Sequence, residues 1–469
     1  MDNSENHGRT DTPEARERLS QEERRRLAER RIRELRARRR RERRAAMRRR
    51  RMAVSLCGLS FLLLFLAAAA SALASGGGEQ TYISARLPAS NLSTLEEMAR
   101  PEGTISAPDI PAAAAALLDP GTGDMLYLKN ADQSLPMAST TKIMTALLAL
   151  ERASPGDTVT VSETASAVGE SSAWLEKGET LTVEQLTYAV LVQSANDAAA
   201  ALAEHVAGSQ EAFVGLMNEK AADLGLANTH FSNPHGLDAA GHHTSARDLA
   251  NLAAAAMRNP EFRKIVSTRT FQLPWPGHPG PRVFENHNKL LKLYPYATGI
   301  KTGYTAKAGK CLVASAEKDG RELISVILNG GESYWDQTIA LMEYGFNDFA
   351  RVEYAYAGQP LAEVEVGDFP RRNVHAVGSR DLVFTVRRDR LDAYREADLA
   401  WFEWVPYPVA AGQEVGYLSL GDDGEGVNRV SLVSDVYRNR PSFLVRFFAF
   451  IAAVFARLLE WIRWLVPGW

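Results

Sequence analysis

Apolar residues along this chain change their spacing several times, and each change marks an element. "AAAAALLD" and "DMLYLK", parted by "PGTG", read as strand, turn and strand. "ASTTKIMTALLALE", residues 138–151, sets Ser and Thr ahead of an apolar run and reads as a helix start. From Val183 to about Met257 apolar residues recur at three and four, so this region is mostly helical. "KCLVASAEKDGRELISVILNG" predicts two strands joined at Asp319-Gly320. Strands at both ends with helices between predict an α+β domain over residues 106–350, an antiparallel sheet flanked by helices.

After it, "LAEVEVGD", "DLVFTVRR", "AWFEWVPY", "EVGYLSLGD" and "NRVSLVSD" are short β-type runs with turn signals between them, a small all-β, sandwich-like module over 358–438. No chemical motif occurs in it. Before the α+β domain, residues 75–105 are punctuated by Gly, Ser and Pro and read as a linker. Residues 441–469 read as an amphipathic helix. Arg446, Ala449, Ala453, Ala456, Arg457, Glu460 and Arg463 share one sector, and Phe, Leu, Ile, Val and Trp fill the rest. A cationic stripe beside a broad aromatic face suits a membrane interface; a core or oligomer helix is the alternative.

Charge changes the picture at the N-terminus. Residues 1–51 hold 20 Arg against 10 acidic residues, a net of +10, which leaves −13 for residues 52–469 of a chain whose total is −3. Such a tail could bind nucleic acid, but it runs directly into "MAVSLCGLSFLLLFLAAAASALA". Residues 52–74 carry no charge and are long enough to cross a bilayer. Arg at one end fixes that end in the cytoplasm and can hold anionic headgroups. The expectation is therefore a cytoplasmic tail, a transmembrane segment, membrane lipids as partners, no nucleic acid, and everything after residue 75 outside. Ala72-Leu73-Ala74 offers a cleavage site, yet the segment is long for a signal sequence, and an uncleaved anchor is the reading adopted. Cys57 and Cys311 lie in unlike settings and form no disulfide framework, and Cys311 reads as a small buried residue. His230, His235, His242 and His243 cluster in a Pro- and Gly-broken stretch without helical ligand spacing, so no metal is expected.

Candidate chemistry sits in three short strings. In a helix Ser139 and Lys142 share a face, which sets an amine beside a hydroxyl and can activate serine without histidine. Ser194 and Asn196, in "SAN", stand at a break in the helical region, with Asp197 as a structural cap for the next helix. Lys301, Thr302 and Gly303, "KTG", precede the hairpin. S-x-x-K, S-x-N and K-T-G in this order form the signature of penicillin-binding proteins and class A β-lactamases.

With these motifs, "KNADQSLPMASTTKIMTALLALE", "GETLTVEQLTYAVLVQSANDAAAALAEHV", "NTHFSNPHGLD" and "GIKTGYTAKAGKCLVASA" resemble the serine D-alanyl-D-alanine carboxypeptidases, the low-molecular-mass penicillin-binding proteins, over about residues 106–350. The resemblance implies a β-lactamase/transpeptidase-like catalytic domain, peptidoglycan stem peptides ending in D-Ala-D-Ala as substrate, β-lactams as inhibitors and no cofactor. Ser139 would attack the penultimate carbonyl, Lys142 would take its proton and Ser194 would pass it to the leaving amine. Asn196 would hold Lys142 and a substrate amide, Lys301 and Thr302 would take the terminal carboxylate, and Gly303 would leave room for substrate along the strand edge. By resemblance, the backbone N–H groups of Ser139 and Tyr304 form the oxyanion hole. A β-lactamase or D,D-endopeptidase on the same fold, or a catalytically silent wall-binding scaffold, are the alternatives. "GESSAWLEKGE" supplies Glu170, Glu176 and Glu179 but no β-lactamase-type Glu motif.

Overall fold

The computed structural model describes residues 21–74, 81–367, 371–420 and 429–465. They fall into two units, one ending at Gln80 and one running from Thr81 onward.

In the first unit, Gln21–Ala74 is one helix of 54 residues. The described side chains of its arginine-rich part are exposed, with pairs such as Arg25–Glu29 and Arg38–Glu42 one turn apart. Of the side chains in 52–74, only Met52, Ser55 and Ser60 are among those described, so the expected transmembrane segment lies outside them. No helix among the described residues is long and apolar enough to cross a membrane.

The second unit is built on a five-stranded antiparallel sheet. Its strands are β1 (Ala114–Asp119), β2 (Asp124–Lys129), β3 (Ala297–Thr305), β4 (Gly309–Lys318) and β5 (Arg321–Leu328). The order across the sheet is β2-β1-β5-β4-β3, which leaves β3 as an edge strand. The β4–β5 hairpin turns at Asp319-Gly320, both at positive φ, as two-residue hairpins require. Both faces of the sheet are covered. On β4, Cys311 and Val313 enter the core shared with the large helical layer, whereas Leu312, Ala314 and Ala316 enter a second core under the helix Tyr334–Asp348. That period of two explains why β4 reads as a continuous apolar run.

The helical layer comprises α1 (Lys142–Arg152), α2 (Val183–Leu191), α3 (Asn196–Ala207), α4 (Gln210–Asp223) and α5 (Ala246–Met257). A full capping box of Thr182 and Gln185 starts α2. Every residue from Asn196 to Ala203 is buried, and only a run of alanines lets a helix be surrounded on all sides. The expected helical span to Met257 is broken between α4 and α5, where Pro234 and the left-handed Gly225, Gly236 and Gly241 give an irregular loop.

The β module is larger than the sequence suggests. Its main sheet has seven strands in the order 82–88, 396–402, 414–419, 429–434, 372–378, 360–366 and 404–405. A second pair joins Phe349–Ala355 to Leu382–Arg387. Residues 75–80 of the expected linker lie outside the described residues, and the rest of it is structured: Tyr82–Pro88 pairs antiparallel with Glu396–Phe402, and Leu95 of the helix Leu92–Met98 enters the module core. The module starts with Tyr82–Pro88 and resumes at Phe349 rather than 358, so the α+β domain is an insertion within it. The seam between them is polar and buried. Asp119, at the end of β1, binds Arg321 at 3.0 Å, Arg351 at 2.8 Å and Thr385 at 2.9 Å, and Thr385 N–H donates to Asp124 at 2.6 Å.

The last helix, Phe443–Leu465, exposes Phe443, Leu444, Phe448, Phe455 and Leu459. Those side chains form the apolar surface expected from the helical wheel.

Candidate active site

Ser139 lies in a tight turn, Ala138–Thr141, that runs directly into α1. Ala138 carries φ +47, and the turn is fastened from outside. The Ser232 amide donates to His242 Nδ1 at 3.0 Å, which leaves the proton on Nε2. Nε2–H then donates to Thr141 Oγ1 at 2.8 Å, and that hydroxyl donates to the Ala138 carbonyl at 2.8 Å. Burial first, then nearby positive groups, hold His242 down at about 4, so the ring is neutral. Gly236, at φ +92, fits because a Cβ there would lie 2.1 Å from the Ala138 oxygen.

One turn along α1, Lys142 is fully buried. Its Nζ lies 2.9 Å from Ser139 Oγ, 2.7 Å from Asn196 Oδ1 and 2.5 Å from the His235 carbonyl. Burial, then the Lys301 charge, pushes the amine well below its ordinary value, against the opposite pull of Asp197 and Glu170. Lys301, on β3, is also buried, and burial alone brings it down to about 7. Its Nζ donates to the Thr302 carbonyl at 3.1 Å.

Ser194 stands between α2 and α3 at φ +64, buried, in a break that ends one helix and starts the next. Asn196, at the start of α3, donates from Nδ2 to the Gly169 carbonyl at 2.8 Å and from its amide to the Ser171 carbonyl at 2.7 Å. Asp197 is not the expected cap: Ala195 holds that position without a side-chain bond, and Asp197, inside the first turn, accepts from the Ala198 amide, from Ser172 Oγ at 2.6 Å and from the amides of Ala173 and Leu175. Its carboxylate therefore fastens the loop 169–175 to the start of α3.

Gly303 has a task besides the expected one. A Cβ on it would lie 3.0 Å from the Met137 carbonyl, 3.1 Å from Ala138 Cβ and 3.1 Å from the Ser139 amide. Its missing side chain makes room for the nucleophile turn against β3, rather than only for a substrate. Tyr304 is next on the strand, opposite Lys310 on β4, with a side chain 66% exposed. Ser139, Lys142 and Asn196 thus meet directly, the Lys301 charge acts on Lys142, and Gly303 lies against the Ser139 amide, which brings α1, α3 and β3 to one place. The sequence reading does not place His235, Gly236, His242 and Thr141 in this site. The histidine cluster is legible in the sequence, but only as an absence of metal spacing, and its use as scaffolding for the turn is not.

Of the three glutamates in "GESSAWLEKGE", two are engaged elsewhere, whereas the Glu170 charge reaches Lys142. Glu179 takes both Arg282 guanidinium nitrogens at 2.6 and 2.7 Å, Glu176 faces His278 at 3.6 Å, and Glu170 is exposed.

A model of the family described as D-alanyl-D-alanine carboxypeptidase matches residues 102–332. The D-alanyl-D-alanine carboxypeptidase DacF of Bacillus subtilis is 34% identical over 330 residues, 67% of this chain and 82% of that protein. The chain belongs to the D-alanyl-D-alanine carboxypeptidase family. DacA of Haemophilus influenzae is 30% identical and covers 78% of this chain and 92% of its own length. Among solved structures, penicillin-binding protein 5 from Haemophilus influenzae has a TM-score of 0.64 at 30% identity, over 72% of this chain and all of that one. The expected α+β penicillin-binding fold is borne out by this likeness, and the family makes the protein a serine peptidase.

Proposed function

We propose that this protein is a serine D-alanyl-D-alanine carboxypeptidase that removes the terminal D-alanine from peptidoglycan stem peptides and is acylated by penicillin. The observation that carries the reading is the buried, depressed Lys142 amine 2.9 Å from Ser139 Oγ. A neutral amine at that distance accepts the serine proton as Oγ bonds to the penultimate carbonyl carbon. Ser194, buried at the break two residues before Asn196, suits a relay of that proton to the departing D-alanine nitrogen, so that the amide C–N bond breaks and an ester on Ser139 remains. Water then adds to the ester carbon while its proton goes to Lys142, and that proton passes on to Ser139 Oγ as the ester C–O bond breaks.

Lys301 and Thr302 suit the terminal carboxylate, which an internal peptide lacks. Lys301 is poised near 7, so an arriving carboxylate draws a proton onto it and restores the cation that keeps Lys142 neutral. Asn196 holds Lys142 in place. The backbone amides of Ser139 and Tyr304 are the donors for the developing oxyanion, supported by the close approach of Gly303 to the Ser139 amide. A β-lactam presents the same carboxylate and acyl carbon and leaves slowly.

The domain order accords with this reading: an Arg-rich cytoplasmic tail, a membrane segment at 52–74, and the catalytic domain and β module outside. The exposed aromatic residues of Phe443–Leu465 support a second contact with lipid. Protease treatment of intact cells tests this topology, since only an outside catalytic domain is cut.

The chemistry is tested by the intact mass of the protein after brief benzylpenicillin treatment, beside Ser139→Ala. An adduct on the wild type alone is the expected result. No adduct with intact antibiotic overturns the reading in favour of a silent scaffold, and no adduct with destroyed antibiotic makes the protein a β-lactamase.

A further inference from the structure

The loop 169–175, fastened to Asn196 and Asp197, ends in a feature that the catalytic chemistry does not use. Trp174 is 53% exposed and sits at φ +55, a conformation that bulky side chains avoid. It is nevertheless fixed at both ends of its backbone. Its amide donates to Ser172 Oγ at 2.8 Å, the hydroxyl that donates to Asp197. Its carbonyl accepts from Arg282 at 3.0 Å. Arg282 is itself buried and held by both oxygens of Glu179. Removing either partner of such a buried pair is costly, so the fastening is firm.

The indole is braced as well. Trp275 stacks near Trp174 with centroids 6.2 Å apart and planes at 23°. His278 stacks on Trp275 at 3.9 Å, and the Arg282 guanidinium lies 5.1 Å from the Trp275 ring centre. A stray surface tryptophan needs none of this. Strain held by a buried ion pair around an exposed apolar ring points to a ligand.

The ring itself sets the ligand chemistry. An indole face is electron-rich and flat, and it favours a flat partner whose edge or face carries weakly positive hydrogens. A pyranose presents such a face in its axial C–H groups. The proposed substrate is a peptide that hangs from a sugar polymer, and Trp174 stands on the loop that touches Asn196. We propose that Trp174, braced by Trp275 and His278, is a stacking shelf for a sugar ring of the glycan strand that carries the stem peptide. This inference rests on the carboxypeptidase reading. It makes the sugar, and not only the peptide, part of what the enzyme recognises.

The test compares two substrates on the full-length protein: a disaccharide-pentapeptide and the same pentapeptide without sugar, both ending in D-Ala-D-Ala. D-Alanine release gives kcat/KM for each. The wild type is expected to favour the sugar-bearing substrate by roughly three- to tenfold, the range of one good stacking contact. Trp174→Ala should bring that ratio close to one, chiefly through KM, and Trp174→Phe should keep most of it. Uptake of benzylpenicillin, which has no sugar, shows that each variant retains its pocket. Equal losses on both substrates in Trp174→Ala would overturn the proposal, because the ring would then serve the peptide or the loop. A wild type with no preference would overturn it too. D-Alanine release from the sugar-free peptide separates the two ideas: if it occurs, the carboxypeptidase reading stands and only the shelf is lost.

Discussion

Replacing Gly303 with alanine tests how tightly the nucleophile turn is seated on the edge strand. The added methyl would meet the Met137 oxygen at 3.0 Å, and Ala138 Cβ and the Ser139 amide at 3.1 Å, where ordinary contact begins at 3.4 Å. None of these neighbours is the end of a flexible side chain. Ala138 already holds φ +47, and Thr141, His242 and Gly236 fix the turn from its other side. Turn and strand must therefore part by a few tenths of an ångström. Overpacking of this kind costs about 1–3 kcal/mol, a fall in melting temperature of roughly 3–9 °C for a domain of this size. The kinetic effect should be larger in proportion. Misplacing a reacting group by 1 Å costs about a hundredfold, so a shift of half that size should slow acylation by about tenfold. The assay is the second-order rate of benzylpenicillin adduct formation, followed by intact mass, with a thermal melt on the same sample. Gly156→Ala is the control, since its Cβ meets nothing within 4 Å. It should be neutral or stabilise by about 0.5 kcal/mol. If Gly303→Ala acylates within threefold of the wild type, the seating argument is wrong.

Other predictions concern protons and the seam. The free enzyme should lose kcat/KM for carboxylate-ending peptides as pH rises through about 7, where Lys301 sheds its charge; Lys301→Arg should move that limb upward, and an unmoved limb refutes the assignment. His242, neutral at about 4 against an ordinary 6.5, contributes stability that is complete above 6.5 and is lost as pH falls toward 4. Urea titrations of His242→Gln should show a shallower loss over that range. Asp119 would be raised by burial, but Arg351 and Arg321 hold it below 3.8, so its contribution is present above 3.8 and is lost as pH falls through the lower folded value. Asp119→Ala should cost about 3–5 kcal/mol by leaving two guanidinium groups unpaired. The acylation rate of the folded fraction should be unchanged, and a melt within 2 °C of the wild type would contradict the clamp.

Sequence range decides what was legible and what was hidden. Ser139 and Lys142 are one helical turn apart, so their meeting is written in four letters. The Asp319-Gly320 hairpin is equally local. Tyr82–Pro88 is not: its partner strand begins at Glu396, and an isolated seven-residue run between Gly- and Pro-rich stretches carries no sign of a partner that distant. The Asp119 clamp gathers residues from both domains, and single charged positions have no pattern to detect. Gly303 signals close approach in the sequence itself, but its neighbours there do not say what approaches.

The pairing of Tyr82–Pro88 inside the module has a mechanical side. A pull on the chain before Thr81 and an opposing pull after Ser434 meet within one sheet, across the strands 82–88, 396–402, 414–419 and 429–434. The load runs through backbone ladders in that small sheet and bypasses the inserted domain that carries Ser139. Tension applied at those two points would thus stretch the base of the module and leave the catalytic distances unloaded.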